Sequence, residues 1–316
     1  MRRFALCVGV VGMLVGTGQG DTIVGWGISS DVVNLPAGDD FVAIAAGVGF
    51  GLALRSDGSI AAWGFDGDGQ VSDAPTGTGY LAISAGSQGL AVRSDRSIAA
   101  WGLDNHGQVS DAPTGTGYLA ISAKSLHSMA LRSDGSIAAW GFDGAGRVSD
   151  TPTGTGYLAI STGGRHSTAL RSDGSIAAWG LDDDGQVSDT PTGTGYSTIA
   201  AGNRHSLALR ADGSIAAWGL DDDGQVSDAP TGTGYLAIAA GGGHSLALDS
   251  GGNIVAWGDD GYGQVSDAPT GTFSAVAAGP SFSLALRVVP EPSAVAGLLG
   301  MGIVGLIGYW WRRRKA

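Results

Sequence analysis

"YSTIAAGNRHSLALRADGSIAAWGLDDDGQVSDAPTGTG", residues 196–234, is the stretch that decides the fold. It opens on a short apolar run ending in glycine, "STIAAG". "SLALR" follows, alternating apolar with small or polar residues, and "SIAAW" comes after Asp212-Gly213. Such runs are strand signals, and Asp-Gly between two of them predicts a two-residue type I′ hairpin, whose central residues both need positive φ. "GQVSDAP" predicts a short fourth strand ending in a proline turn. Helix signals are absent from the body of the chain.

The unit recurs outward in both directions. Trp-Gly pairs begin at Trp26, Trp63, Trp101, Trp140, Trp179, Trp218 and Trp257, the last four intervals each being 39 residues. A fixed period in this range means a solenoid or a propeller. Four short antiparallel strands per unit fit a propeller blade; a β-helix is the alternative fold, but its coils are shorter and lack hairpins. The Asp-Gly turn recurs at Asp57-Gly58, Asp134-Gly135 and Asp173-Gly174, with Gly251-Gly252 in its place once. Asp95-Arg96 departs from it, and Arg96 at positive φ should cost stability locally.

Counting the units exposes two orphans. "AVAAGPSFSLALR" (275–287) has no Trp strand after it, and "DTIVGWGISSD" (21–31) has no unit before it. Joined, they complete one blade. The expected fold is all-β, a seven-bladed β-propeller over residues 21–288, closed by pairing the N-terminal strand with the last blade. Closure protects strand edges that an open array would leave free for aggregation.

The pattern "AAGxxHSLALRSDGSIAAWGxDxxGQ" resembles the regulator-of-chromosome-condensation repeat, a seven-bladed propeller family. The short period is closer to its bacterial members, which include a propeller-type β-lactamase inhibitor protein. The resemblance covers nearly all of 21–288. It implies the fold far more firmly than any activity, because propellers host many unrelated functions.

Both ends of the chain read as addresses. Residues 1–20 carry Arg2 and Arg3, an apolar run from Phe4 to Val15, and then small and polar residues. That is the pattern of a secretory signal peptide, with cleavage expected near Gly20. At the other end, residues 293–311 hold no charge, and nineteen residues at ~1.5 Å each reach about 28 Å, one hydrocarbon core. The expectation is a separate C-terminal transmembrane helix over 293–311, followed by a positive stop. The order Pro290, Glu291, Pro292, apolar span, then Arg312, Arg313 and Arg314 resembles the PEP-CTERM sorting signal of Gram-negative bacteria, here over 289–316. The resemblance implies processing by an exosortase-type enzyme after a membrane-anchored intermediate, and then a place at the cell surface or outside the cell.

Composition narrows the function. Glycine accounts for 57 of 316 residues, without a collagen period. Setting aside the basic residues of the two ends leaves 11 basic against 29 acidic residues, about −18. Such a body repels phosphate backbones, so nucleic acid is not an expected partner. The one cysteine, Cys7, lies in the N-terminal apolar run, so no disulfide or cysteine metal site is expected in the body.

In so uniform a chain, a site should show as a break in the repetition. Breaks fall in the loop after the first strand of each unit and in the loop after the Trp strand. In an up-and-down meander these loops share one face, and the Asp-Gly hairpins and the "SDAPTGTGY" crossings share the other. The variable face offers Lys124, Arg165, Arg204, His106, Tyr262 and a rim of Asp that includes Asp183 and Asp222. Loops on a rigid scaffold are the usual place for binding residues, whereas the bland alternative is neutral drift after duplication. His127, His166, His205 and His244 recur every 39 residues, but Phe50 and Phe282 replace them in two units, which suits packing better than metal ligation. The "DDDG" loops lack the spaced ligands and final Glu of a calcium loop. The repeated Trp residues read as core. No catalytic constellation is visible, and no cofactor is expected.

The reading is a secreted, surface-sorted, non-enzymatic propeller that binds protein or polysaccharide through its variable face. Two alternatives are a structural component of an extracellular matrix or biofilm and a lyase-like propeller enzyme. Export and uniform repeats weigh against the GTPase exchange activity of the family's name-giving member.

Overall fold

Each repeat folds where its pattern says. The apolar runs become strands, and in every middle strand the Leu-Ala-Leu type core is fully buried. The computed structural model describes residues 21–27 and 34–289. The signal peptide with Cys7, and the sorting signal with Pro290, Glu291, Pro292, the 293–311 span and Arg312, Arg313 and Arg314, lie outside the described residues. Among the described residues no helix is long and apolar enough to cross a membrane.

The molecule is all-β, with seven sheets of three strands. The first sheet holds Phe41–Ala46, Phe50–Arg55 and Ile60–Gly64. Five more follow within 80–102, 118–141, 157–180, 196–219 and 235–258. The seventh combines Phe273–Ala278 and Phe282–Arg287 with Thr22–Gly27 from the other end of the chain. That last pairing is antiparallel and runs from Thr22 opposite Arg287 to Gly27 opposite Phe282. The arrangement is that of a seven-bladed propeller, with blades numbered in this order.

Two expectations are corrected. "GQVSDAP" forms no fourth strand. Its amides are already spent: Val71 and Ser72 donate to the Asp66 carboxylate at 2.8 and 2.9 Å, and Asp73 N–H donates to Gly69 O. The segment therefore curls into turns, and five further blades repeat the Asp cap. The hairpins, for their part, are not two-residue type I′ turns. Gly58 N–H bonds to Arg55 O, and Arg55 N–H bonds to Ser59 O. Gly58 has φ +80°, whereas Asp57 is not at positive φ. This is a three-residue loop, a type I turn closed by a left-handed glycine. Asp57 is favoured because its carboxylate accepts the Ser59 N–H at 2.8 Å. Arg96 occupies the glycine's place with φ +67°, as expected.

The core is divided among the joints between blades. One apolar cluster joins blades 1 and 2 through Phe50, Leu52, Ile83 and Trp101. Another sets Phe41, Ile44 and Trp63 of blade 1 against Ala277, Phe282 and Leu284 of blade 7. All seven repeated Trp side chains are buried. Six of them also staple the joints, as when Trp101 Nε1 donates to Gln70 O at 3.0 Å and Trp26 Nε1 to Gln264 O at 2.8 Å. The inner strands, rich in Ala and Ser, surround a central channel with a cavity of about 120 Å³. Small residues are needed there because seven strands converge on one axis.

Candidate functional site

The breaks in the repeat occupy three structural settings. The first is the joint between middle strands. His127 Nε2 lies 2.8 Å from Ser167 Oγ of the next blade. His166 pairs in the same way with Ser206, His205 with Ser245, and His244 with Ser283, at 2.6 to 2.9 Å. In blade 2, Gln88 Nε2 donates to Ser128 Oγ at 2.8 Å. Burial pushes His127, His166 and His205 down to about 3 and His244 down to about 4. These imidazoles are neutral inter-blade staples, each committed to a serine hydroxyl. Among the described residues, no group of three or more His, Cys, Asp or Glu is placed to hold a metal ion.

The second setting is the channel. Six blades end their inner strand on glycine, and blade 3 has Lys124 in that position. The sequence places Lys124 on the rim of the variable face, but the structure turns it inward. Its Nζ donates across the channel mouth to the carbonyls of Ala240, Ala201 and Gly241, the latter two at 3.3 Å. Burial lowers its pKa to about 7, while three carbonyl acceptors favour the charged form. Lys124 is thus a strut between opposite walls, with no donor left for a partner.

The third setting is the variable face. Loops after the inner and outer strands do share it, although the sheets have three strands and not four. The exposed His106 ring lies 4.7 Å from the Phe142 ring, centroid to centroid. The Arg147 guanidinium lies over the Phe142 ring, 4.7 Å from its centroid. Arg147 Nε donates to Gly144 O at 2.7 Å, and its Nη1 donates to Gly164 O at 2.9 Å. Burial and the neighbouring Arg165 press its pKa down from the usual guanidinium value. Arg165 itself is exposed beside it. One sector over blades 2 to 4 therefore holds two guanidinium groups, an imidazole and a phenyl ring.

The other expected residues stand apart from this cluster. Arg204 Nε lies 2.8 Å from Asp184 Oδ2, an ion pair that engages its charge within the loops. Tyr262 is exposed on the loop after blade 6, and Asp183 and Asp222 are exposed on the loops after blades 4 and 5. In the "DDDG" loops the first carboxylate caps the turn: Asp182 accepts the amides of Val187 and Ser188. The third, Asp184, accepts from Gln186 Nε2 at 2.8 Å. Only the middle carboxylate is left over, so these loops are built as self-satisfied turns.

Arg147 and Phe142 went unread in the sequence. Their signal was present: Arg147 stands where five other loops have Gln70, Gln108, Gln186, Gln225 and Gln264. All five glutamines accept the amide two residues upstream, as Gln70 Oε1 does from Asp68 N–H at 2.9 Å and Gln108 Oε1 from His106 N–H at 2.7 Å. Arg147 lacks that acceptor, and the neighbouring Ala145 is left-handed at φ +61°.

Four segments, residues 41–70, 158–186, 196–225 and 236–264, match the model of the regulator of chromosome condensation (RCC1) repeat. No curated protein sequence matches the chain. Among solved structures, Prp20p from Saccharomyces cerevisiae superposes with a TM-score of 0.70 at 19% identity, covering 90% of this chain and 95% of that one. Human WBSCR16 gives 0.69 at 17% identity, over 85% and 99% of the two chains. The ectodomain of the Physcomitrella patens receptor kinase CR4 gives 0.67 at 22% identity, over 80% and 71%. At these identities the likeness is one of fold. In four of its repeats and in its overall architecture, this chain is therefore similar to RCC1-repeat propellers.

Proposed function

We propose that the protein is an exported, non-enzymatic binding module that takes a polysaccharide on the blade 2 to 4 sector of its variable face. The observation that carries this reading is the convergence of His106, Phe142 and Arg147, with Arg165 beside them, in a body whose charge is otherwise acidic. A sugar ring stacks on the aromatic surface while its hydroxyl oxygens accept from a guanidinium. A protein partner is the second reading. It is favoured by the fold of Prp20p, a protein whose structure was described with its binding to Gsp1p and histones.

The rest of the proposal concerns address and assembly. Residues 1–20 direct export, and 289–316 anchor the chain until an exosortase-type enzyme cuts near Pro290-Glu291-Pro292. The propeller then resides at the surface of a Gram-negative cell or beyond it. The N-terminal strand closes the ring by completing blade 7.

The test is titration of a neutral polysaccharide, dextran, into the protein by calorimetry. Arg147→Gln combined with Arg165→Ser should weaken binding at least tenfold, and Tyr262→Ala should leave it unchanged. Equal affinity for all three proteins would remove the sector from consideration.

A further inference from the structure

The two faces of the propeller differ in charge. The crossings start on the variable side and not on the hairpin side, as the bond from Asp73 N–H to Gly69 O and its five counterparts place them; loops and crossing starts there carry 18 Asp against Lys124, Arg147, Arg165 and Arg204. Strand ends and hairpins on the opposite side carry nine Asp against seven Arg. The variable side is strongly acidic, and the hairpin side is close to neutral.

The hairpin side also presents apolar side chains. In every blade the pairing of inner and middle strand slips after its first residue. An extra residue at such a bulge is re-aimed out of the ladder. In four of the seven blades that residue is leucine. Leu81, Leu158 and Leu236 are 39%, 44% and 53% exposed. Leu158 and Leu236 flank one groove with Tyr196, Tyr235 and Arg210. Arg93, Arg96 and Arg287 are exposed on the same side.

The chain leaves the propeller here. Val288 is exposed, and its N–H donates to Thr272 O at 3.0 Å. Only residues 289–292 separate it from the uncharged run 293–311. Four residues reach about 14 Å at full extension. A span at 293–311 therefore holds this face within that distance of lipid.

We propose that the hairpin face docks on the lipid surface of the membrane its C-terminal segment enters. Leu81, Leu158 and Leu236 sit in the interface, and Arg93 and Arg96, with Asp95 between them, lie at headgroup level. The acidic variable face points away, clear of like charge and open to its ligand. The short tether keeps the local concentration of the face high, so modest apolar contacts suffice. The inference rests on the reading of 293–311 as a span.

The experiment uses the full chain with Cys7→Ser and one new cysteine, Leu158→Cys or Asp183→Cys, carrying an environment-sensitive fluorophore. The chain is reconstituted into phosphatidylcholine–phosphatidylglycerol vesicles with brominated acyl chains, and circular dichroism verifies the fold. The label at 158 should be quenched severalfold more than the label at 183. Adding Leu81→Ser and Leu236→Ser should reduce that quenching by at least half. Equal, water-like signals at both positions in a chain that resists alkaline extraction would overturn the docking and leave the span standing. Extraction of the chain by alkali would overturn both.

Discussion

The joints of this propeller are of two kinds. From blade 2 round to blade 7, five joints each carry a polar staple, one Gln or His reaching a serine of the next blade. The two joints flanking blade 1 carry none. There Phe282 and Phe50 stand in the histidine's place, both fully buried, and glycines 51 and 89 stand in the serine's. A β-carbon on Gly51 would lie 2.3 Å from the Trp63 ring, so the space is filled by indole. The two positions thus change together: a Gln or His pairs with a serine hydroxyl, and Phe accompanies glycine. Directional bonds fix the five joints from blade 2 round to blade 7. Apolar packing serves both joints of blade 1, including the one where it meets the blade assembled from both termini.

Four measurements probe the two kinds of joint. Deleting residues 21–27 should have the largest effect. It strips the Phe282–Arg287 strand of its partner and removes buried Trp26. The loss should exceed the ~3–5 kcal/mol typical of a buried Phe or Trp truncated to Ala, read as collapse of the urea midpoint. A merely trimmed leader would leave the midpoint in place.

Acid should come next, and it should act on the polar joints. The four histidines are held below their ordinary value by burial, so the unfolded chain binds protons that the folded one cannot. Their stabilisation is complete above about pH 6.5. It falls as pH drops from there toward about 4, by up to ~1.4 kcal/mol per unit for each group. Replacing all four by Gln, the residue blade 2 already uses, should flatten the melting temperature across that window. The aspartate caps stay ionised there, because hydrogen bonds hold them below the usual carboxylate range. An unchanged pH slope in the variant would refute the staple role.

Phe282→Ala tests the apolar joint and should cost ~3–5 kcal/mol. His205→Gln, which keeps a donor for Ser245, should cost well under that. Denaturant titration of both would show whether packing or hydrogen bonding dominates; the reverse order would dissolve the distinction. The smallest effect belongs to the hairpin of blade 2. Arg96→Gly relieves the left-handed arginine and should add ~0.5–1 kcal/mol, visible as a modest rise in melting temperature.

Much of this architecture was legible in the chain. The 39-residue period, the Asp and Gly punctuation and the two orphan halves at 21–31 and 275–287 led to seven units and a composite blade. The reading failed where one segment's amides had two possible partners. Val71 and Ser72 could have joined a ladder, but the carboxylate of Asp66, five and six residues upstream, reaches them first. It failed again at the hairpins, where Asp-Gly fits two turn types and only the φ of the Asp distinguishes them.

The candidate site was legible only as a set of departures from the repeat. His106, Arg165 and Lys124 looked equivalent in sequence, yet one packs at a tilt against Phe142, one stands exposed beside Arg147, and one crosses the channel to Ala201, Ala240 and Gly241. By itself the sequence determined the period, the number of blades, the strand faces and the composite blade, because these follow from local alternation and turn chemistry. The tertiary structure alone decided which side chain of one blade meets which of the next and what fills the channel. Those contacts lie about 40 to 117 residues apart, and their partners are set by the angle at which packed blades meet around the axis.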